Sequence, residues 1–426
     1  MKNIIPAVKG TRDFYPEEMA VRSWLFNKVR HVSEMYGYEE YEGPFLERID
    51  LYAAKSGDEL VNQQSYVFKD RAGEDITLRP ELTPTLARMV AQRQRELAYP
   101  LRWWSFGPFW RYERPQKGRS REFFQWNIDL VGVNTPEADA EMIAIAASLF
   151  QELGLSSDVV RIAVNSRRLM DSQLAALGIA PDMQKVVFRV IDRRDKLSDS
   201  AWRAYAQEEG LTAEQVEGIL RIQSNPNLWQ ESDDLQRVFT ILEKMGLRDY
   251  VEFDPEVIRG LDYYTGTVFE AQARSGGRAI FGGGHYDNLV AAVGGDPLPG
   301  VGFAMGDMMI TIILRENNLL PEFKLVPAET FVTVFDEEGL TDAFALAGDL
   351  RQAGMKVVVN PEVVKLQKQL KYADRIGVRY VIIAGPDERA AGQVTVKDLS
   401  SRSQETVDRA KIVEVMREKL AQPGAV

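Results

Sequence analysis

The sequence predicts an α+β protein carrying a helical insertion and a small, doubly wound C-terminal α/β domain. Three observations lead there. Residues 101–133 read as a long hairpin, "LRWWSFGPFWRYER" and "EFFQWNIDLVG" joined by the polar loop "PQKGRSR", with side chains alternating in character along the returning strand. Residues 171–250 abandon that alternation for helical spacing in "MQKVVFRVIDRRDKL", "TAEQVEGILRI" and "DLQRVFTILEKMG". Beyond Pro327, "FVTVF", "KVVVN" and "YVIIAG" alternate with helical "GLTDAFALAGDLRQAG" and "EVVKLQKQLKYADRIG", the order of strands wound with helices. At 426 residues the chain is too long for one core, and about 150 residues per domain gives two or three.

Each element has a local cause. Pro16, Glu17 and Glu18 open a helix whose apolar residues Val21, Trp24, Leu25, Val29 and Val32 share a face and which Gly37 closes. "YEEYEGPFLE" reads as extended and is interrupted at Pro44; "YVFKD" and "ITLRPE" read as strands around the turn Arg71-Ala72-Gly73. After the helical stretch, strand character returns over 257–305 in "TVFEAQA", "GGRAIFGGGHYDNLV" and "GVGFAMG", followed by the helix "DMMITIILRENN". Pro321 and Pro327 bracket a linker. The expected domains are therefore 1–170 and 251–320 as two parts of one domain, 171–250 as an insertion within it, and 331–426.

Composition excludes several function classes. Hydrophobic content of 45% and charged content of 27% are those of a globular protein, and no apolar run approaches the roughly 20 residues that span a bilayer. "MKNIIPAVKGTRDFYPEE" lacks the apolar core or the Arg/Ser-rich pattern of a targeting peptide, so no membrane association and a cytoplasmic location are expected. With no cysteine there is no disulfide, thiol nucleophile or thiolate zinc site. With only His31 and His285, a histidine-rich metal site or a Ser/His/Asp triad is poorly supplied. Chemistry must rest on Arg, Glu, Asp, Gln and Tyr, with oxygen-held Mg²⁺ the one metal left open. A net charge of −11 argues against coating nucleic acid by bulk charge, while leaving room for a local RNA-binding strip.

The hairpin carries the densest chemistry. Alternation puts Phe123, Gln125, Asn127 and Asp129 on one face and Phe124, Trp126, Ile128 and Leu130 on the other, and Arg111 and Glu113 share a face on the outgoing strand. Such a face can hold a zwitterion or a phosphate, or can be the solvated side of a half-exposed hairpin. The loop "RPQKGRSR" is either a solvated basic loop or a clamp in which Arg119 and Arg121 close on a polyphosphate and Gln116 and Lys117 touch nucleic acid. "RGLDYYTG", residues 259–266, poses the same question, since a buried guanidinium is costly unless an anion meets it.

"FWRYERPQKGRSREFFQW" resembles motif 2 of class II aminoacyl-tRNA synthetases in its histidyl form. "TLRPELTPTLARM" and "RGLDYYTGTVFE" resemble two further stretches of the histidyl-tRNA synthetase family, as do "KGTRDFYP", "GGGHYDNL" and "QLKYADRIGVRYVIIAG". The resemblance covers nearly the whole chain. It implies an antiparallel sheet flanked by helices, a homodimer built on the segment closed by Pro44, an anticodon-binding domain at 331–426, and L-histidine, ATP with Mg²⁺, and tRNA-His as substrates and partners.

By the same resemblance Glu81, Thr83 and Gln125 hold the α-amino group, and Asp129 and Tyr264 read the imidazole nitrogens. Arg111 meets the α-phosphate, Glu113 and Phe123 the adenine, and Arg119 and Arg121 the distal phosphates. Arg259 bridges the histidine carboxylate and the α-phosphate during in-line attack, with Tyr263 in the same wall. Residues 259 and 264 would face opposite ways on a regular strand, so a bend is expected near Gly260. Reading both imidazole nitrogens makes an editing site unnecessary, since an apolar competitor leaves buried groups unpaired, worth about 10⁴ to 10⁵ in discrimination. Residues 171–250 then serve tRNA or simply stabilise the fold. Two positions depart from the family: Met309 stands where an arginine is expected, and His285 where arginine is common. Asp307 reads as a helix N-cap, His285 as either a surface histidine at a glycine turn or a functional residue, His31 as a helix-surface residue, and Gly282, Gly283 and Gly284 as places of close backbone approach. The alternatives are a noncatalytic relative resembling the regulatory subunit of ATP phosphoribosyltransferase and a nucleotide-binding enzyme that adenylates a small acid without tRNA.

Overall fold

The computed structural model describes residues 4–53, 64–194, 197–257, 264–323 and 325–421. The chain divides into two compact units, Met1–Tyr15 with Val21–Pro321, and Glu322–Val426 with Pro16–Ala20.

The first unit is built on an eight-stranded sheet. In chain order its strands are β1 (Glu39–Glu40), β5 (Leu101–Trp110), β6 (Glu122–Val131), β7 (Val160–Ser166), β8 (Val251–Phe253), β9 (Thr267–Ala273), β10 (Phe281–Tyr286) and β11 (Gly300–Gly306). Their spatial order is β1-β5-β6-β11-β10-β9-β7-β8. All neighbours run antiparallel except β1 with β5 and β7 with β8. The numbers β2 (Leu46–Arg48), β3 (Tyr66–Lys69) and β4 (Asp75–Leu78) belong to a separate three-stranded sheet ordered β2-β4-β3. Gly73 makes the turn between β3 and β4 with a φ of 87°, a left-handed conformation that glycine adopts without a side-chain clash.

One face of the large sheet is core. Trp126, Ile128 and Leu130 of β6 are buried with Leu25, Val29 and Val32 of the helix Pro16–Met35. The helix Pro136–Glu152, apolar on nearly every side, is buried almost throughout, as such composition requires. The helix Asp233–Lys244 packs against it. Trp202, Ile219 and Leu235 of the helical segment join Trp104, Ile143 and Val164 in one continuous core.

The second unit holds the strands β12 (Thr330–Val332), β13 (Val357–Val359), β14 (Tyr380–Ile383), β15 (Gln393–Asp398) and β16 (Gln404–Asp408), ordered β13-β12-β14-β15-β16. β12 is parallel to both β13 and β14, and β15 and β16 add an antiparallel end. Strand alternation sends Val332 and Ile382 into one core and Phe331 and Val381 into another, so helices cover both faces.

Candidate active site

The opposite face of the large sheet is hollowed into two cavities that share a wall. The first, of about 250 Å³, is lined by Glu81, Thr83, Arg111, Gln125, Asn127, Asp129, Tyr264, Glu270, Gly282 and Tyr286, among others. β6 supplies Gln125, Asn127 and Asp129 from alternate positions, all at most 9% exposed. They are buried because β6 lies between β5 and β11 rather than at an edge, which decides against the solvated-face reading of the hairpin. Asp129 stands opposite Gly302 of β11, and a β-carbon at 302 would collide with its carboxylate, so glycine is required there.

Burial pushes the Asp129 carboxyl up to about 7, opposed by the hydrogen bond that Tyr286 Oη donates to Oδ1 at 3.0 Å. The Tyr286 and Tyr41 phenols are raised well above their usual value, again by burial first, so both are neutral. Among the described residues Gln125 Oε1 and Asn127 Nδ2 are buried with no hydrogen-bond partner. An unpaired buried acceptor and donor on one cavity wall are what a small polar ligand would satisfy.

The second cavity, of about 210 Å³, is lined by Arg111, Glu113, Gly118, Arg119, Ser120 and Phe123 on the hairpin side, and by Ile280, Phe281, Asp307, Met308 and Met309 on the other. Arg111, Gln125, Gly282 and Ala304 line both cavities. Arg111 is held there by its Nε donating to Pro80 O at 2.9 Å, with its guanidinium 5.3 Å from the Phe123 ring centroid. Arg119 Nε lies 2.5 Å from Glu113 Oε2. The first cavity is thus acidic (Glu81, Asp129, Glu270), the junction and second cavity carry guanidinium groups, and the remaining wall is aromatic and thioether.

Of the residues expected from the sequence, Glu81, Thr83, Arg111, Gln125, Asp129 and Tyr264 meet in the first cavity, and Arg111, Glu113, Arg119 and Phe123 in the second. Arg121 lines neither: its stem lies against Gly10, its Nε donates to Glu113 O at 3.1 Å, and its guanidinium sits 4.1 Å from the Tyr112 ring centroid. Gln116 bridges Arg119 through the backbone, and exposed Lys117 reaches Glu316 Oε1 at 2.9 Å. Arg259, Tyr263 and the bend expected near Gly260 lie outside the described residues.

Asn127, Glu270 and Tyr286 are among the lining residues to which the sequence reading gave no site role. Asn127 shares strand parity with Gln125 and Asp129, a signal that was present; Tyr286 follows the glycines of "GGGHYDNL", and only sheet pairing aims it at Asp129. Two expectations are corrected. His285 is on β10, not at a surface turn, and is 2% exposed, with Nδ1 2.9 Å from Asp139 Oδ1, whose other oxygen accepts from Thr267 Oγ1 at 2.5 Å. Asp307 is the first residue of the helix Asp307–Glu316 and not its N-cap, which is Gly306. Its carboxylate instead accepts from Phe124 N at 3.0 Å and pairs with Arg12 Nη2 at 2.8 Å, clamping the helix to β6 and to the chain's N-terminal segment. His31 is exposed on its helix, as expected.

A family model described as histidyl-tRNA synthetase matches residues 10–309, and one described as an anticodon binding domain matches residues 328–419. The histidine–tRNA ligase of Leptospira biflexa is 35% identical over 97% of both chains. The chloroplastic/mitochondrial histidine–tRNA ligase of Arabidopsis thaliana is 39% identical over 93% of this chain and 83% of that protein. Among solved structures, histidyl-tRNA synthetase from Nostoc sp. superposes with a TM-score of 0.78 at 27% identity, covering 98% of this chain and 100% of that one.

Proposed function

Because the chain belongs to the histidyl-tRNA synthetase family, we propose that its two joined cavities hold histidine and ATP side by side, with the new acyl–phosphate bond forming at Arg111. The enzyme is a histidine–tRNA ligase: it activates L-histidine with ATP to histidyl-adenylate and pyrophosphate, then transfers histidine to the 3′ end of tRNA-His. A histidine carboxylate oxygen attacks the α-phosphorus and pyrophosphate leaves; a terminal ribose hydroxyl of the tRNA then attacks the acyl carbon and AMP leaves.

The observation that carries the placement is that Arg111 lines both cavities. A fixed guanidinium at their junction neutralises the carboxylate and α-phosphate that must approach each other, which free in solution would repel. In this arrangement Glu81, Thr83 and Gln125 receive the ammonium group, Asp129 and Tyr264 the two imidazole nitrogens, Phe123 and Glu113 the adenine, and Arg119 the distal phosphates. Arg259, with Tyr263, is assigned to the carboxylate and α-phosphate by its place in "RGLDYYTG". Arg121 acts at one remove, fixing the hairpin loop through Glu113 O and Tyr112. Gln116 and Lys117, on the exposed loop, are left to the tRNA acceptor end.

ATP implies Mg²⁺, but the carboxylates of the second cavity already face cations, Glu113 with Arg119 and Asp307 with Arg12. Among the described residues no group of three candidate ligands could hold a metal ion. The described side chains do not fit a protein-held Mg²⁺, and the ion belongs to the nucleotide's phosphates.

Residues 331–426 constitute the anticodon-binding domain. In the helical segment 171–250, Arg189, Arg194 and Arg203 face Glu209, Asp199 and Glu217, which favours a stabilising role there over a phosphate-binding one. The exposed apolar residues Phe45, Leu46, Val67 and Phe68 on the three-stranded sheet support a homodimer through that surface. No described helix is long and apolar enough to cross a membrane, and cytoplasmic action with soluble tRNA is the assigned setting.

Histidine-dependent ATP–pyrophosphate exchange followed by tRNA charging tests the function. Histidine binding without exchange would favour the noncatalytic regulatory relative. That reading is disfavoured by the anticodon module at 328–419 and by Arg111 at the junction.

A further inference from the structure

The cations around the second cavity are largely committed before any nucleotide arrives. Arg119 faces Glu113, Arg12 faces Asp307, Lys117 faces Glu316, and Arg121 is stacked on Tyr112 and bound to a backbone carbonyl. Met308 and Met309 also line the cavity and bring no charge. A triphosphate carries about four negative charges at neutral pH, and placing it among thioethers with Arg111 and a half-neutralised Arg119 leaves its terminal phosphate without a cation.

Beside the hairpin loop tip lies the stem of an arginine that, among the described residues, pairs with no carboxylate. Arg278, half-buried in the segment entering β10, is followed directly by Ala279 and Ile280, both lining the cavity. Its δ-carbon lies 3.6 Å from the point a β-carbon would occupy at Gly118, the tip of the hairpin loop; the Met309 sulfur overlaps that same point. Gly118 has φ 76° and itself lines the cavity, so loop tip, Met309 and Arg278 converge at one place on its rim. Among the described residues Arg278 makes no ion pair. Arg119 and Arg12 each do.

We infer that Arg278 is the terminal-phosphate ligand of this enzyme, supplying from the approach to β10 the positive charge that Met309 does not supply from the helix Asp307–Glu316. The stem beyond Cδ carries the guanidinium past Gly118, where it meets the γ-phosphate in the bidentate geometry guanidinium groups favour. Met309 is then a packing residue, holding the loop tip and the Arg278 stem apart from the adenine.

The inference rests on the second cavity being the ATP site, and the test separates the two. Calorimetric titration of the full-length wild type and of R278A and R278K with ATP and with AMP isolates the terminal phosphates, since AMP has none. R278A should weaken ATP binding by about tenfold to a hundredfold, the range of a charge-assisted contact, and leave AMP binding unchanged. R278K should recover part of the loss. In pyrophosphate exchange the KM for ATP should rise and that for histidine should not. Unchanged ATP affinity in R278A, or an equal loss for ATP and AMP, would overturn the assignment. Absence of histidine-dependent exchange in the wild type would instead count against the proposed function.

Discussion

Replacing Asp129 by asparagine separates what this carboxylate costs the fold from what it gives the substrate. Burial raises the Asp129 carboxyl from 3.8 to about 7, a disfavouring of the ionised form by about 4 kcal/mol. The folded pKa lies above the unfolded one, so the folded enzyme holds the proton more tightly. The cost of ionisation is absent below about pH 4, grows as pH rises from there to about 7, and is complete above it. The substituted side chain carries no charge at any pH, and its amide oxygen can accept the hydrogen bond that Tyr286 donates at 3.0 Å. D129N should therefore stabilise the unliganded enzyme by about 2 kcal/mol at pH 5 and about 4 kcal/mol at pH 8. Thermal unfolding of wild type and variant at both pH values reads the difference. Histidine should suffer oppositely: a charge-assisted bond to the imidazole is worth about 1.5–3 kcal/mol, so kcat/KM for histidine in pyrophosphate exchange should fall about tenfold to a hundredfold at pH 8. A stability difference equal at the two pH values, or a destabilised variant at pH 8, would refute the burial argument, and unaltered histidine kinetics would refute the contact.

Three further substitutions probe the same architecture. N127A removes a buried donor that has no partner among the described residues, so stability should hold within about 1 kcal/mol while kcat/KM for histidine drops about tenfold; a clear loss of Tm would contradict this. H285A leaves Asp139 buried without its imidazole partner and should lower stability by about 3 kcal/mol, measured by denaturant unfolding, in contrast with the small effect expected of a surface histidine. G302A places a β-carbon against the Asp129 carboxylate and should raise the histidine KM about tenfold with AMP affinity preserved; equal damage to both would place the disturbance in the sheet as a whole.

Much of the architecture was legible along the chain because its signals are local. The alternation in "EFFQWNIDLVG" assigned Trp126, Ile128 and Leu130 to one face and Gln125, Asn127 and Asp129 to the other, and the strand pairing agrees residue by residue. The helices over 171–250 and the β/α order after Pro327 were equally visible, although the antiparallel end formed by β15 and β16 was not, since β16, "QETVD", holds one apolar residue and strand direction depends on pairing. Motif resemblance selected much of the polar lining, Glu81, Arg111, Gln125 and Asp129 among it. It could not select Tyr286, whose position depends on β10 pairing with β11, nor reveal that the Arg121 stem is taken up by Gly10, more than a hundred residues earlier in sequence.

The amino-acid order alone determined which residue types were available for chemistry and which face of each strand or helix they occupied, because backbone geometry repeats every two or 3.6 residues whatever lies beyond. Whether a polar face met water or closed over a cavity was decided only when distant strands assembled. β11 came to cover Asp129 with a glycine, Asp139 turned His285 from an expected surface group into a buried one, and Arg12 drew Asp307 away from a capping role. Burial and charge pairing depend on neighbours brought together from opposite ends of the chain, and no local spacing encodes them.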